Sequence, residues 1–311
     1  MAAPLLETEA AMMSKFELHG MIPPFVTPMH ADGSLNLDAV PVLVEHVLSG
    51  GVHGIFVTGS QGEAYALSAD EKAAIWDAVL AAVNGRVPVI AGTGAITTCD
   101  AVALTQRAEQ AGVDAATITT PYFIAPSQDE LFAHYAEIAA AVSLPILGYS
   151  NPTRTGGVKI APATLCRLAH EVPTFVGVKD SSGDLAETSA IIRACPSDFR
   201  VFVGRDTLVY GALCYGVDGA VGLTMNVAPR LAVDLYEAFQ AGDHERARAL
   251  QSALSTLREG LAHFGTYPVW VKEALTLMGL PAGPARRPIL PLNDIQRGEL
   301  RALLQSVGVL K

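Results

Sequence analysis

Short apolar runs rich in β-branched residues alternate along this chain with longer stretches whose apolar positions recur at helical spacing. Gly, Ser, Thr or Pro closes each apolar run. The pattern predicts strands at Ile22 to Thr27, Gly54 to Thr58, Val87 to Ala91, Ala115 to Thr119, Pro145 to Tyr149, Phe175 to Lys179, Val201 to Gly204 and Gly219 to Val221. Helical patterns follow them in turn: Leu37 to Leu48, Ala69 to Val83, Cys99 to Ala111, Gln128 to Ala141, Pro162 to Ala169, Leu185 to Ala194, Thr207 to Tyr215 and Pro229 to Ala241. This is βα repetition. Eight units in about 225 residues suit an α/β fold of the closed (β/α)8 TIM barrel type better than an open doubly wound sheet, which usually has fewer strands and one topological reversal. Beyond the eighth unit the pattern is purely helical, at His244 to His263, Tyr267 to Met278 and Asn293 to Val307, with a Pro/Gly-rich link at Leu280 to Pro291. The expected organisation is a disordered N-terminal tail over 1–16, the barrel over 17–241 and a C-terminal helical layer over 242–311.

Composition narrows the function classes. The chain has 311 residues, half of them hydrophobic, and a net charge of −10. That supplies ample core and no basic stripe for nucleic acid. No apolar run approaches the roughly 20 residues that span a bilayer. Residues Met1 to Ser14 lack the basic flank and apolar centre of a secretory signal, and Met12 or Met13 could be the natural start. Cys99, Cys166, Cys195 and Cys214 are widely spaced, with no Cys-x-x-Cys and no His pairing. They suggest neither zinc nor a disulfide framework, and fit reduced, buried thiols in a cytoplasmic protein.

In a barrel of this kind chemistry sits at the C-terminal ends of the strands. Strand two ends in Gly59-Ser-Gln-Gly-Glu63, where flanking glycines let backbone N–H groups and the Ser60 hydroxyl converge on a small carboxylate. A plain turn would look much the same. Strand three ends in Ala91-Gly-Thr-Gly94, but the third glycine of a dinucleotide fingerprint would fall at Thr97, so no Rossmann loop is predicted. Strand four ends in the aromatic lip Thr119-Thr-Pro-Tyr-Phe123. Strand five ends in Gly148-Tyr-Ser-Asn-Pro-Thr-Arg-Thr-Gly156, which places the Tyr149 phenol, hydroxyls and the Arg154 guanidinium in one loop.

Strand six ends in Lys179, one of only six lysines. Lys15 and Lys311 lie at the chain ends, Lys72 in a helix start, Lys159 after a Gly-Gly turn and Lys272 in a C-terminal helix. A strand-end lysine commonly snorkels beside a carboxylate, here Asp180 or Asp184. Desolvated instead, it sheds its proton, and a neutral amine attacks carbonyls. Lys179, Tyr149 and the Ser60 loop together are the parts of imine catalysis on a 2-oxo acid, which needs no metal and no cofactor beyond the covalent lysine imine.

These segments resemble a known family. Gly59-x-x-Gly-Glu63, Thr120-Pro-Tyr122, Tyr149-x-x-Pro152 with Arg154-Thr-Gly156, and Gly177-Val-Lys-Asp180 are similar to the class I pyruvate-dependent aldolases, the family of dihydrodipicolinate synthase and N-acetylneuraminate lyase. The likeness runs from about Gly20 to the C-terminus and takes in Pro268-x-x-Val-Lys272 and Gly283-Pro-Ala-Arg-Arg-Pro288. It implies that Lys179 forms the Schiff base with pyruvate and Tyr149 shuttles protons. It further implies that Gly59, Ser60 and the Gln61 backbone hold the pyruvate carboxylate, and that Val221 lines the pocket through its backbone. Arg154 matches the arginine that receives the aspartate semialdehyde carboxylate in the synthase, and Asp206 the hydroxyl-binding aspartate of the lyase. The implied partners are a small 2-oxo acid and an aldehyde, and further copies of the chain in a homotetramer or dimer.

Departures from the family pattern bear on the substrate. Phe123 stands where the synthase carries a second relay tyrosine, Ile124 and Ala125 replace an Asn and an Arg, and Leu223 replaces a sugar-binding serine. The Gly-Ser-x-Gly-Glu loop and Lys179-Asp-Ser-Ser-Gly-Asp184 look most like the branch acting on 2-oxo-3-deoxy sugar acids and 4-hydroxy-2-oxoglutarate. The expectation is therefore a lyase of that branch, with dihydrodipicolinate synthase as the alternative and a non-catalytic 2-oxo-acid-binding homologue as the second.

Overall fold

The computed structural model describes residues 18–310; the tail expected over 1–16 lies outside the described residues. Eight strands are present: β1 (Gly20–Met21), β2 (Ile55–Val57), β3 (Val89–Gly92), β4 (Ala115–Thr119), β5 (Ile146–Ser150), β6 (Phe175–Asp180), β7 (Arg200–Val203) and β8 (Gly219–Ala220). They form one parallel sheet in the order β1-β8-β7-β6-β5-β4-β3-β2. The chain after β1 also reaches β2. His53 N–H donates to Met21 O at 2.9 Å, Phe56 N–H to Pro23 O at 3.0 Å and Phe25 N–H to Phe56 O at 2.7 Å. The expected strand from Ile22 to Thr27 is thus an extended, partly bridged segment behind a two-residue strand, because Pro23 and Pro24 have no N–H to give a ladder.

Helices alternate with the strands: α1 (Val40–Ser49), α2 (Ala69–Val83), α3 (Thr98–Ala111), α4 (Gln128–Ala140), α5 (Pro162–Glu171), α6 (Leu185–Ala194), α7 (Val209–Tyr215) and α8 (Pro229–Gln240). Then come α9 (His244–Leu261), α10 (Val269–Leu277) and α11 (Asp294–Ser306). Starts are set by side chains: Ser68 with Glu71 and Ser127 with Glu130 make capping boxes for α2 and α4, and Asn293 with Gln296 for α11. The first predicted helix divides into a 3-10 turn at Leu37–Ala39 followed by α1, whose first turn accommodates Pro41.

The strands sort their side chains by alternation. Phe56, Ile90, Leu147 and Phe202 point to a small inner core with Leu18, Ile22 and Val221. Their neighbours Ile55, Val57, Val89, Ala91, Ile146, Val201 and Val203 join the larger core between sheet and helices. On β6, Val178 belongs to the outer core, so Lys179 must face inward. There it lies above Leu18, Ile22, Phe56 and Phe202.

The last helices close over the strand ends rather than standing apart. Lys272 of α10, fully buried, donates to Glu63 Oε1 and to Pro284 O, both at 2.7 Å. The Arg286 N–H donates to Glu63 Oε2 at 2.8 Å, and its guanidinium pairs with Glu71. The sequence reading set Lys272 aside as a residue of a C-terminal helix; the structure instead makes it the counter-ion of the Gly59–Glu63 loop.

Candidate active site

Strand register brings the two principal residues together. Tyr149 on β5 lies beside Lys179 on β6, and both are buried. The Lys179 Nζ sits 4.1 Å from the centre of the Tyr149 ring and 4.8 Å from that of Phe56. The carboxylates a snorkelling lysine would use are engaged elsewhere. Asp180 accepts from Ser182 N–H at 2.9 Å and from the Thr188 hydroxyl at 2.6 Å. Asp184 caps α6 by accepting from Ala186 N–H. Among the described residues Lys179 has no ion pair.

Burial pushes the Lys179 amine below the usual lysine range, opposed by the Tyr149 phenol and by Asp206. Burial would push Tyr149 up, but the positive charge of Lys179 and hydrogen bonds with Asn151, Ser60 and Ser181 bring it below the usual phenol range. Asn151 Nδ2 donates to the phenolic oxygen at 2.8 Å. The two groups are coupled, since the charge of Lys179 helps to lower the phenol and the phenolate opposes the lowering of the lysine.

The loop after β2 is held in a costly backbone shape. Thr58 and Glu63 both adopt the left-handed conformation, at φ 51° and 57°. The Thr58 hydroxyl donates to Gly92 O at 3.1 Å and accepts from the Trp76 indole at 2.8 Å, while Glu63 is held by Lys272. Gly59 is required because a Cβ there would come within 2.5 Å of the Phe56 ring. The loop's turn bonds use Ser60 O and Gly59 O, and among the described residues no carbonyl takes the N–H of Ser60 or Gln61. The Ser60 hydroxyl is engaged with the Tyr149 phenol. The Gln61 side chain is buried with neither amide atom hydrogen-bonded, and nothing in the structure explains that choice.

A cavity of about 90 Å³ opens over the lysine. Its walls include Lys179, Tyr149, Arg154, Asp206 and Val221, all singled out from sequence. Ser60 and Gln61 are not among its lining residues, although Ser60 reaches the phenol. Asp206 is committed: one oxygen accepts from Thr224 N–H at 3.0 Å and from the Thr224 hydroxyl, and the other lies 3.5 Å from Arg258 Nε. Gly222 permits this, since a Cβ there would come within 2.4 Å of the Asp206 carboxylate. Arg154 is exposed, its guanidinium 4.5 Å from the centre of the Tyr267 ring.

Sequence reasoning passed over Asn151, Ser181, Arg205, Arg258 and Tyr267, which also line the cavity. The rule that strand ends carry chemistry could have found Ser181, the first residue after β6, and Arg205, the second after β7. No local signal marks Arg258 and Tyr267, which α9 and the turn before α10 bring in. Phe123 has a left-handed backbone at φ 72° and is 95% exposed, with Ile124 exposed beside it.

A model of the dihydrodipicolinate synthetase family matches residues 17–307. The 4-hydroxy-tetrahydrodipicolinate synthase of Methanopyrus kandleri is 39% identical over 95% of this chain and 98% of that protein. An uncharacterised DapA-like lyase of Halobacterium salinarum is 40% identical over 94% of this chain and 95% of its own length. Among solved structures, the chloride-inhibited dihydrodipicolinate synthase of Acinetobacter baumannii, complexed with pyruvate, is 36% identical with a TM-score of 0.90. That match covers 94% of this chain and 100% of the other.

Proposed function

We infer the reaction from the premise that this chain belongs to the dihydrodipicolinate synthetase family, and propose that it condenses pyruvate, held as an imine on Lys179, with an aldehyde that carries a carboxylate. The chain is a class I, Schiff-base pyruvate lyase, of a family that forms its imine on a lysine without an external cofactor. The observation that carries the reading is the buried Lys179 amine, without an ion pair among the described residues and against the Tyr149 phenol, at the floor of an arginine-lined cavity. The scaffold we propose is a closed (β/α)8 barrel over 17–241 with the helical layer 242–311 laid across its catalytic end.

The neutral amine attacks C2 of pyruvate, and Tyr149 passes the proton that lets water leave. The resulting protonated imine withdraws electrons, so C3 gives a proton to the Tyr149 phenolate and becomes the nucleophilic carbon of a neutral enamine. The enamine adds to the aldehyde carbon, the new alkoxide takes a proton from Tyr149, and water releases the product from Lys179. The N–H groups of Ser60 and Gln61 would hold the pyruvate carboxylate throughout, and Arg154 would meet the aldehyde's acidic end. Relatives named as 4-hydroxy-tetrahydrodipicolinate synthases favour aspartate semialdehyde as that aldehyde. This reverses the order taken from sequence, which set the synthase second.

A second reading keeps its own support. Phe123 has no hydroxyl to relay a proton, which favours cleavage or dehydration of a 2-oxo-3-deoxy acid or 4-hydroxy-2-oxoglutarate. The exposed Phe123 and Ile124 also support a second copy of the chain covering this lip in a homo-oligomer. Two measurements test the reading. Pyruvate with borohydride should leave a reduced pyruvyl mass on the Lys179 peptide, and its absence would sink the imine. Turnover of aspartate semialdehyde should exceed cleavage of the 2-oxo acids; the opposite ranking would select the second reading.

A further inference from the structure

Three guanidinium groups, those of Arg154, Arg205 and Arg258, line the cavity above Lys179. Among the described residues only Arg258 has a carboxylate partner. Arg258 lies 3.5 Å from Asp206, with its guanidinium 4.9 Å from the centre of the Trp270 ring. Among the described residues neither Arg154 nor Arg205 forms an ion pair. Arg205 is held across two loops: its Nη2 donates to the Thr153 hydroxyl at 3.2 Å, and its planar group packs over Gly183, where a Cβ would come within 3.4 Å of Nε. Its Nε is buried with no hydrogen-bond partner.

A buried, unsatisfied charged donor costs stability, and a positioned guanidinium fork fits a carboxylate. Asp206 offsets the charge of Arg258 but cannot serve Arg205, since its other oxygen is taken by Thr224. The wall formed by the β7 loop and α9 therefore has an unmatched positive charge beyond that of Arg154. We propose that Arg205, steadied by Thr153 and backed by Arg258, is a second anion-binding subsite that selects reactants with a carboxylate at the end remote from the imine carbon. The inference rests on the imine reading for its orientation, but the subsite itself depends only on the arginines. A reactant with a neutral hydroxylated tail leaves Arg205 unsatisfied and is discriminated against.

The test is a selectivity ratio with a binding arm. With pyruvate as donor, kcat/KM is measured for an acidic aldehyde, succinic semialdehyde, and for a neutral one, glyceraldehyde. Arg205→Met should lower the acidic-to-neutral ratio by roughly ten- to a hundredfold, the scale of a hydrogen bond to a charged group. Arg205→Lys should recover part of it. Separately, glutarate, which has no carbonyl to form an imine, should change the emission of Trp270 beneath Arg258, and Arg205→Met should weaken that binding. A ratio that does not move in a folded Arg205→Met protein overturns the proposal, and if that variant does not fold, glutarate binding to Arg205→Lys that is no weaker and no stronger than to an Arg205→Gln protein overturns it. If borohydride traps no pyruvate on the wild-type chain, the proposed function falls while the glutarate titration alone decides the subsite: binding that depends on Arg205 upholds it, and binding indifferent to Arg205 removes it.

Discussion

Lys179 and Lys272 are both buried amines, lowered from the ordinary lysine range chiefly by desolvation, and they have opposite surroundings. Lys272 meets the Glu63 carboxylate and the Pro284 carbonyl at 2.7 Å each. Lys179 meets two aromatic rings and a phenol. Burial alone therefore does not mark a catalytic lysine. A paired amine keeps its proton and holds structure, whereas one facing a phenol and an open cavity can give its proton up and attack.

Substitution should separate the two roles. Lys179→Met should abolish turnover and the borohydride adduct while leaving the protein folded, since no counter-ion is stranded. The stability comparison has a defined pH sign. A lysine lowered by folding makes the unfolded chain bind more protons, so wild-type stability rises with pH between the lowered value and the unfolded value of about 10.4. The advantage of Lys179→Met in urea melts should be greatest below that window and fade as pH rises through it. An advantage that grows with pH would mean the amine is not desolvated. On the catalytic side, activity should decline toward acid as the amine takes up a proton.

Tyr149→Phe tests the proton relay next to the amine. It should slow turnover by about 10²- to 10⁴-fold, the usual worth of a positioned acid–base group, while the fold is kept. A loss below tenfold would remove the phenol from the mechanism. Lys272→Met should act instead on stability, by about 3–5 kcal/mol, because it leaves the Glu63 carboxylate buried without its cation. Denaturant unfolding would show it, and adding Glu63→Gln should restore part of the loss. If Lys272→Met is as stable as wild type, the contrast between the lysines fails. The smallest effect is expected at the rim: Phe123→Tyr should raise condensation with aspartate semialdehyde within about tenfold, the scale of one hydrogen bond. No rise would show that the missing hydroxyl does not limit that reaction.

The contrast also explains what the sequence could reveal. The strands were legible because both faces are buried, which leaves short continuous apolar runs such as Phe175 to Val178 ahead of Lys179. Ala115–Thr119 was predicted to the residue, whereas β1 was misplaced because consecutive prolines remove its ladder donors. Tyr149, Arg154, Asp206 and Val221 were found by asking what each strand ends with or by family likeness, and they share one cavity. Arg258, Tyr267 and the partner of Lys272 were not legible. Their positions depend on how the last helices dock across the strand ends, and the local periodicity of a helix says which face is apolar without saying what that face will meet.

The pair that fixes the Gly59–Glu63 loop joins residues 209 positions apart, and the Arg286 N–H reaches the same carboxylate from 223 positions away. Synthesis runs from one end only. When the ribosome has added Ala220 every strand has been made, yet Glu63 still lacks its cation, and the fifty or so residues up to Lys272 take roughly 3–10 s more at ordinary elongation rates. Until then water must solvate the carboxylate, and the loop keeps only its anchors made earlier in the chain, those of Thr58 to Gly92 O and to the Trp76 indole. A chain that stopped short of Lys272 would therefore carry Lys179 beside a loop whose Glu63 carboxylate lacks its cation.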